Sequence, residues 1–221
     1  MRGYFVTATG TDIGKTYVSA GLLSAWRAQG HAVAATKPVM SGFAEDALEQ
    51  SDAGRLLAAM GRAVTPDAVS EICLHRLAPP LAPNVAMRQA GVAQDYGAIR
   101  QFVERRLEGA AGCHLVEGAG GVMSPLTDDR LQIDLMADLD LPVILVTAPY
   151  LGSISHTLSA LYALGARGLT VAAVVISQPS VSGGDVAAFA GELERFTQAP
   201  LFGIKYGEDA AGLARALLPG A

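Results

Sequence analysis

Hydrophobic residues along the chain follow two alternating patterns. Short runs rich in β-branched residues are separated by longer segments in which apolar positions recur with the period of a helix. This alternation is typical of βαβ units and predicts one α/β domain, a mostly parallel sheet with helices on both faces. The predicted strands are residues 4–8, 31–39, 113–116, 142–147, 170–176 and 201–204. The predicted helices are residues 14–28, 51–60, 96–107, 158–166, 186–196 and 210–218.

A proline-rich stretch interrupts this alternation. Residues 77–85 read LAPPLAPNV, and a proline has no backbone N–H to donate to regular structure. We therefore predict an ordered loop over one edge of the sheet. No internal repeat, low-complexity segment or linker divides the sequence, so residues 1–221 are expected to form a single domain.

A phosphate-binding motif follows the first predicted strand directly. The sequence TATGTDIGKT ends in Gly14, Lys15 and Thr16, where the first helix begins. Backbone N–H groups at the positive end of a helix dipole bind anions, Lys15 is placed to reach the outer phosphates, and the Thr16 hydroxyl is placed to ligate Mg²⁺. Thr9 stands where a strict motif has glycine, and the alternative is a Gly-Lys-Thr triplet that only starts a helix.

Two acidic residues are candidate ligands for the magnesium of a nucleotide. Glu117 follows an apolar strand and precedes the glycine-rich turn of residues 118–121, and Asp52 opens the helix after the second strand. Carboxylate oxygens at the carboxyl ends of parallel strands suit a hard cation among phosphates. The alternatives are a turn carboxylate at Glu117 and a residue that favours the helix start at Asp52. No chemistry is assigned to the other aspartates of residues 128–140.

A second lysine, Lys37, stands at the carboxyl end of the second predicted strand and is followed by a proline with fixed φ. Taken alone it would be a surface cation. Because Lys15 ends on the same rim of the sheet, the two ammonium groups can converge on one anionic centre, with Thr11 and Ser41 as neutral donors. This arrangement favours an attack by an anionic oxygen on a γ-phosphoryl group.

Composition narrows the possible partners. The chain has a net charge of −5 and a sequence pI near 5.3, which gives no broad attraction for nucleic acid. No run approaches the roughly 18 apolar residues of a membrane span, so we expect no membrane partner. The two cysteines are too few for a disulfide framework. A cytoplasmic location is expected.

Six motifs occur together in a characteristic order: DIGKT, KPVMSG, SDAGRLL, VEGAGG, PVILVT and LGSISHT. In sequence and spacing they resemble the dethiobiotin synthetase family, over about four-fifths of the chain. The resemblance implies a homodimeric ligase that joins CO₂, or bicarbonate as its source, to 7,8-diaminononanoate with Mg-ATP as co-substrate. The implied products are dethiobiotin, ADP and phosphate, formed through a carbamate and a carbamic-phosphoric mixed anhydride.

The resemblance also implies roles for individual residues. Magnesium would be held by Thr16, Asp52 and Glu117. The implied catalytic residues are Thr11, Asp12, Lys15 and Lys37. The implied nucleotide contacts are Tyr4, Thr11, Asp12, Ile13, Gly14, Lys15, Thr16, Glu117, Ser177 and Gln178. The implied contacts to the diamine substrate are Thr11, Lys37, Ser41, Gly118, Ala119, Gly120, Leu151, Gly152 and Ser153.

The loop of residues 150–155 begins a helix, and its free N–H groups are suited to the carboxylate at the far end of the substrate. In the family this loop reaches across the dimer interface; the alternative is an ordinary capped helix. The sequence departs from the family pattern at Ala8 and Gly10. It departs further at residues 177–180, where an Asn-rich turn is usual, so the base preference stays open between ATP, CTP and GTP. Gln178, or Lys205 and Tyr206, are the candidates near the base.

Three other functions compete with this reading. A partition or cell-division ATPase shares the fold but usually carries an additional lysine early in the loop, where this chain has none between Thr9 and Ile13. An amide-forming ligase of the cobalamin pathway usually has a glutaminase module, for which 221 residues leave no room. The third is a nucleotide-binding module without catalysis.

Overall fold

A computed structural model describes residues 2–178 and 184–218. Its strands are β1 (Arg2–Ala8), β2 (Val33–Thr36), β3 (Val39–Ser41), β4 (His75–Leu77), β5 (Cys113–Glu117), β6 (Val143–Thr147), β7 (Val171–Ser177) and β8 (Leu201–Ile204). Its helices are α1 (Lys15–Ala28), α2 (Asp52–Ala59), α3 (Pro66–Ile72), α4 (Pro83–Gln89), α5 (Tyr96–Glu108), α6 (Gln132–Leu139), α7 (Ser153–Ala166), α8 (Val186–Leu193) and α9 (Ala211–Leu217). A 3-10 helix, Glu45–Gln50, precedes α2.

The main sheet has six strands in the order β2-β5-β1-β6-β7-β8, and every pair of neighbours is parallel. Side chains of β1 alternate between two cores: Val6 packs on one face, with α1, α2 and α9, and Phe5 packs on the other, with α5 and α6. The predicted α/β fold with helices on both faces is confirmed. Because β1 is central, the loop that follows it opens at the middle of the carboxyl edge.

The predicted strand 31–39 is wrong as one element. It is two strands, β2 in the main sheet and β3 in a separate two-stranded sheet with β4. Pro38 cannot donate a ladder hydrogen bond, and the Lys37 N–H donates to the Ile72 carbonyl at 2.8 Å instead. The chain therefore leaves the main sheet at Lys37, next to the carboxyl end of the adjacent strand β5.

The proline-rich stretch is also more regular than predicted. Leu77 is the last residue of β4, and α4 begins at Pro83. A proline is tolerated in the first turn of a helix, where its missing N–H would have had no partner within the helix. The prediction that the prolines of residues 77–85 exclude regular structure is therefore wrong at both ends of the stretch.

The short helices α3 and α6 were not predicted, and α7 begins five residues before the predicted helix of residues 158–166.

The last helix is joined to the first strand and first helix by side-chain donors. The Trp26 indole N–H donates to the Ala214 carbonyl at 3.1 Å, and the Arg2 guanidinium and the Tyr4 hydroxyl both donate to the Leu217 carbonyl. These carbonyls belong to the final turn of α9, where no intrahelical donor is left. Separately, none of the helices in the described ranges is long and apolar enough to cross a bilayer.

Candidate functional site

The loop after β1 has the backbone of an anion-binding turn. Gly14 adopts a left-handed conformation (φ 96°, ψ 21°) at the N-cap of α1, and no side chain caps the helix there. Its first N–H groups are therefore available to an anion, at the positive end of the helix dipole. Asp12 is also left-handed, with φ of 57°. The Lys15 ammonium folds back over the loop and donates to the Gly10 carbonyl at 3.1 Å.

The three residues predicted to hold magnesium lie in direct contact. The Thr16 hydroxyl lies 2.9 Å from Asp52 Oδ1 and 2.8 Å from Glu117 Oε1. Thr16 is in the first turn of α1, Asp52 is the first residue of α2, and Glu117 is the last residue of β5. Three separate elements therefore bring these oxygen ligands to one point beside the phosphate-binding loop.

Lys37 closes this group from the side of β2. Its ammonium lies 2.7 Å from Glu117 Oε1, 2.7 Å from Asp52 Oδ2 and 3.1 Å from the Gly118 carbonyl. The lysine is 2% exposed and the glutamate is fully buried, whereas the Asp52 side chain is 40% exposed. One buried cation thus faces two carboxylates, and its attraction offsets part of the cost of placing their charges in the protein.

Local structure explains how Asp52 is aimed. Ser51 is the N-cap of α2, and its hydroxyl accepts from the Gly54 N–H at 3.0 Å. This cap fixes where the helix begins, so the next residue projects from its first turn toward α1. Lys37 and Glu117 meet because β2 and β5 are adjacent parallel strands that end at the same edge of the sheet.

The charges alter the protonation of the site. Burial alone would lower the pKa of Lys37, but the Glu117 and Asp52 carboxylates outweigh it and hold that pKa above its usual value. Burial likewise opposes ionisation of Asp52, but the Lys37 ammonium prevails and the pKa of Asp52 is lowered. For Lys15, burial and the repulsion of Lys37 lower the pKa to about 8. Lys15 is therefore the titratable cation of the site near neutral pH.

These residues fit a magnesium ion. The donors are two carboxylates and a hydroxyl, all hard oxygens. Glu117 Oε2 is buried and has no hydrogen-bond partner among the described residues, although an ionised carboxylate normally accepts at both oxygens. A buried carboxylate oxygen without a protein donor in the described ranges, on a residue whose other oxygen contacts Thr16 and Lys37, suits a metal ligand.

A cavity of about 340 Å³ opens above this cluster. The predicted residues that line it are Thr11, Asp12, Gly14, Lys15, Thr16, Lys37, Ser41, Asp52, Ala119 and Gly120. Three lining residues were not predicted: Tyr17, Met40 and Arg55. The sequence contained indications for two of them. Tyr17 directly follows Thr16, and Arg55 stands one helical turn after Asp52 in the SDAGRLL motif. The Ile13 side chain does not line the cavity and is only 7% exposed.

Tyr4 lies in the core beside Trp26, not at the nucleotide site where the sequence prediction put it. Its ring stacks on Trp26, with centroids 6.1 Å apart, and its hydroxyl donates to Leu217 at the end of α9. It is buried near the start of β1, whereas the phosphate-binding loop follows the end of that strand. The strand's length separates the two, so the predicted nucleotide contact of Tyr4 is wrong.

Other predicted site residues lie outside this cavity. Leu151 is fully exposed, Gly152 is the left-handed N-cap of α7, and the Ser153 hydroxyl bonds to the backbone of Tyr150. Ser177 ends β7, and Gln178 follows it at the carboxyl edge. Of the turn predicted at residues 177–180, positions 179 and 180 lie outside the described residues.

Comparison with known proteins identifies the family. A family model described as "AAA domain" matches residues 2–204. The ATP-dependent dethiobiotin synthetase BioD of Caulobacter sp. (strain K31) is 46% identical over 224 residues, which cover 99% of this chain and 95% of the relative. The enzyme of the same name from Caulobacter vibrioides (strain NA1000 / CB15N) is 49% identical over 179 residues, 80% of each chain. The chain belongs to the dethiobiotin synthetase family.

This dethiobiotin synthetase family member is similar in fold to solved structures. A ParA family ATPase from Chlorobium tepidum TLS matches with a TM-score of 0.55 and 16% identity, over 99% of this chain and 90% of the other. MinD from Aquifex aeolicus matches with a TM-score of 0.54 and 15% identity, over 99% and 88%. At these identities the likeness shows the fold alone.

Proposed function

We propose that this chain is an ATP-dependent dethiobiotin synthetase whose chemistry takes place around Lys37, Lys15 and the Thr16, Asp52 and Glu117 oxygens. The reaction joins 7,8-diaminononanoate and CO₂ at the expense of ATP and releases dethiobiotin, ADP and phosphate. The observation that carries the proposal is the Lys37 ammonium, buried 2.7 Å from two carboxylates that both contact the hydroxyl of the phosphate-loop threonine.

The first step is formation of a carbamate. One neutral amine of the substrate attacks CO₂, a carbon–nitrogen bond forms, and the amine loses a proton. The new carboxylate carries a negative charge that Lys37 and Lys15 can stabilise, because both line the cavity. Thr11 and Ser41 line the same cavity and can donate hydrogen bonds, and Ala119 and Gly120 form part of its wall.

Phosphoryl transfer and ring closure follow. A carbamate oxygen attacks the γ-phosphorus, the bond to the β-phosphate oxygen breaks, and ADP leaves. The second amine then attacks the carbamate carbon, closes the ureido ring and releases phosphate with loss of a proton. Such a transfer depends mainly on positioning and charge neutralisation. Asp12, which lines the cavity, is proposed to orient the diamine or accept its proton.

Thr16, Asp52 and Glu117 would hold Mg²⁺, which supplies charge neutralisation for the β- and γ-phosphate oxygens when bound. Lys37 contacts both of these carboxylates. We therefore infer that the lysine shares them with the metal or moves from them toward the phosphate, where its charge serves the carbamate.

The enzyme is proposed to be a homodimer in the cytoplasm, with residues 1–221 of each chain in one domain. Leu151 at the tip of the loop before α7 is fully exposed, and Tyr150 is 41% exposed beside it. Large apolar side chains at a loop tip favour a protein contact. The carboxylate end of the diamine would meet Gly152 and the N-terminus of α7 at this contact.

Phosphate release in the presence and absence of the diamine and bicarbonate tests the proposal. We expect ATP turnover to require 7,8-diaminononanoate and to yield one dethiobiotin per phosphate. ATP turnover indifferent to the diamine would reject the ligase and favour a regulatory ATPase. Dethiobiotin formation without ADP release would reject the phosphoryl-transfer step.

A further inference from the structure

Tyr17 connects the phosphate-binding helix to a distant turn. It is the residue directly after Thr16 in α1, and its hydroxyl accepts from the Gly207 N–H at 3.1 Å. The same hydroxyl lies 3.3 Å from the Lys205 carbonyl and 3.4 Å from the Glu208 carbonyl, so its proton can be donated to either. One phenol thus lies within hydrogen-bond distance of three residues of the turn formed by residues 205–208.

The turn of residues 205–208 is closed on itself and joined to α1 through Tyr17. The Glu208 N–H donates to the Lys205 carbonyl at 3.0 Å, and the Lys205 N–H donates to Glu208 Oε2 at 3.0 Å. Gly207 is left-handed, with φ of 80°. The turn follows β8, which pairs with β7, so it lies at the carboxyl edge beside Ser177 and Gln178.

The direction of a bound nucleotide follows from the sheet order. Lys37 and Glu117 belong to the β2 and β5 side of β1, which is where the proposed function puts the terminal phosphate. A nucleotide with its phosphate there would extend its nucleoside toward β7 and β8. Tyr17 lines the phosphate cavity and also an adjoining cavity of about 460 Å³ that Ile204 and Glu208 line. It therefore stands between the phosphates and the turn.

We propose that Tyr17 is a positioning residue that holds the turn of residues 205–208 against the nucleoside end of the nucleotide. This inference rests on the proposed function, because it requires ATP in the phosphate-binding loop. In this role Tyr17 affects nucleotide binding through the turn and does not itself bind the phosphates. Its hydroxyl therefore contributes to the binding of ligands that carry a nucleoside and contributes nothing to ligands that do not.

Substitution of the hydroxyl alone tests this role. In Tyr17→Phe we expect the Kd for ADP, measured by calorimetry, to rise about fivefold through loss of the hydrogen bonds to the turn. The Kd for inorganic pyrophosphate should stay within twofold of wild type. The KM for ATP should rise while kcat and the KM for the diamine stay unchanged. Tyr162→Phe, which alters an exposed tyrosine on α7, is the matched control and should change none of these values.

A second variant disturbs the turn from its other end. A side chain at Gly207 meets no atom within 4 Å, but its φ of 80° is strained for alanine. Gly207→Ala should therefore reproduce the ADP-selective loss, with a small fall in the melting temperature that reflects the strain at this position. Equal weakening of ADP and pyrophosphate in Tyr17→Phe would overturn the proposal, as would unchanged ADP binding. If wild type binds neither ligand, the nucleotide site itself fails, which is a different result.

Discussion

At the scale of single residues, Lys37 is the more deeply buried of the two lysines at the site. Its ammonium is buried and lies 2.7 Å from both Glu117 and Asp52. The sequence predicted the same three residues around one phosphoryl centre, because each stands at the carboxyl end of a strand or the start of a helix. It did not predict that the lysine would pair with the carboxylates, since side-chain direction depends on packing that no local pattern encodes.

Lys37→Ala should abolish ring closure and also weaken the fold. The carbamate loses a stabilising charge, for which a fall in kcat of at least 100-fold is typical. The fully buried Glu117 loses its cation, and a free energy of unfolding lower by about 3 kcal/mol is expected. Phosphate release and urea denaturation measure the two effects.

The control is Arg62→Ala, which breaks an exposed pair with Glu71 and should lower the free energy of unfolding by less than about 1 kcal/mol. Full ring closure by Lys37→Ala would remove its assigned role.

Lys15 predicts a pH dependence of nucleotide binding. Burial and the Lys37 charge lower its pKa to about 8, so the free protein loses this cation as the pH rises above that value. The depressed pKa favours the neutral lysine in the folded state, which makes protonated Lys15 a destabilising group below pH 8. Bound phosphate favours the charged form, so the affinity for ADP should fall about eightfold from pH 7.5 to 9. Calorimetry at both pH values measures this fall. Lys15→Arg should show no such fall, and a pH-independent wild type would contradict the assignment.

At the scale of elements, the site depends on the position of helix α2, because Asp52 is its first residue. The sequence predicted the main helices and the parallel strands because their apolar runs are long and uninterrupted. It missed the break of the second strand at Lys37, because a residue before proline also favours extended structure. It missed α6, whose eight residues include two of the aspartates to which no chemistry was assigned. Asp134 caps this helix, with Oδ2 accepting from the Leu131 N–H at 2.8 Å.

Gly54→Ala should displace α2 from the 3-10 helix before it. The added Cβ would lie 1.9 Å from the Leu48 carbonyl oxygen, a backbone atom with little freedom to move. We expect a loss of at least about 2 kcal/mol in the free energy of unfolding and weaker Mg²⁺ binding, because Asp52 moves with the helix.

Gly191→Ala in α8 is the control for this change. The new Cβ meets no atom within 4 Å, so the substitution should stabilise the protein by roughly 0.5 to 1 kcal/mol. Thermal denaturation and Mg²⁺ titration would separate the two variants. A Gly54→Ala protein as stable as Gly191→Ala would show that α2 tolerates the shift.

At the scale of the whole molecule, the proposed dimer completes the substrate site. Leu151→Asp places a charge on a fully exposed loop tip and should convert the dimer to monomers in sedimentation velocity. The KM for the diamine should rise at least tenfold, whereas ADP binding should stay unchanged because the phosphate-binding loop is intact. Phe196→Asp alters another exposed apolar side chain and serves as the control. A Leu151→Asp variant that remains dimeric would place the interface elsewhere.

The last helix has a consequence for synthesis of the chain. Within the described part of the chain, the Trp26 and Tyr4 donors find their acceptors in the final turn of α9, at Ala214 and Leu217. During translation the first strand and the first helix emerge long before those carbonyls exist. The scaffold of the nucleotide loop is therefore completed after almost the whole described chain has left the ribosome. Nascent chains ending before residue 211 would carry an indole and a phenol that still depend on water or a chaperone.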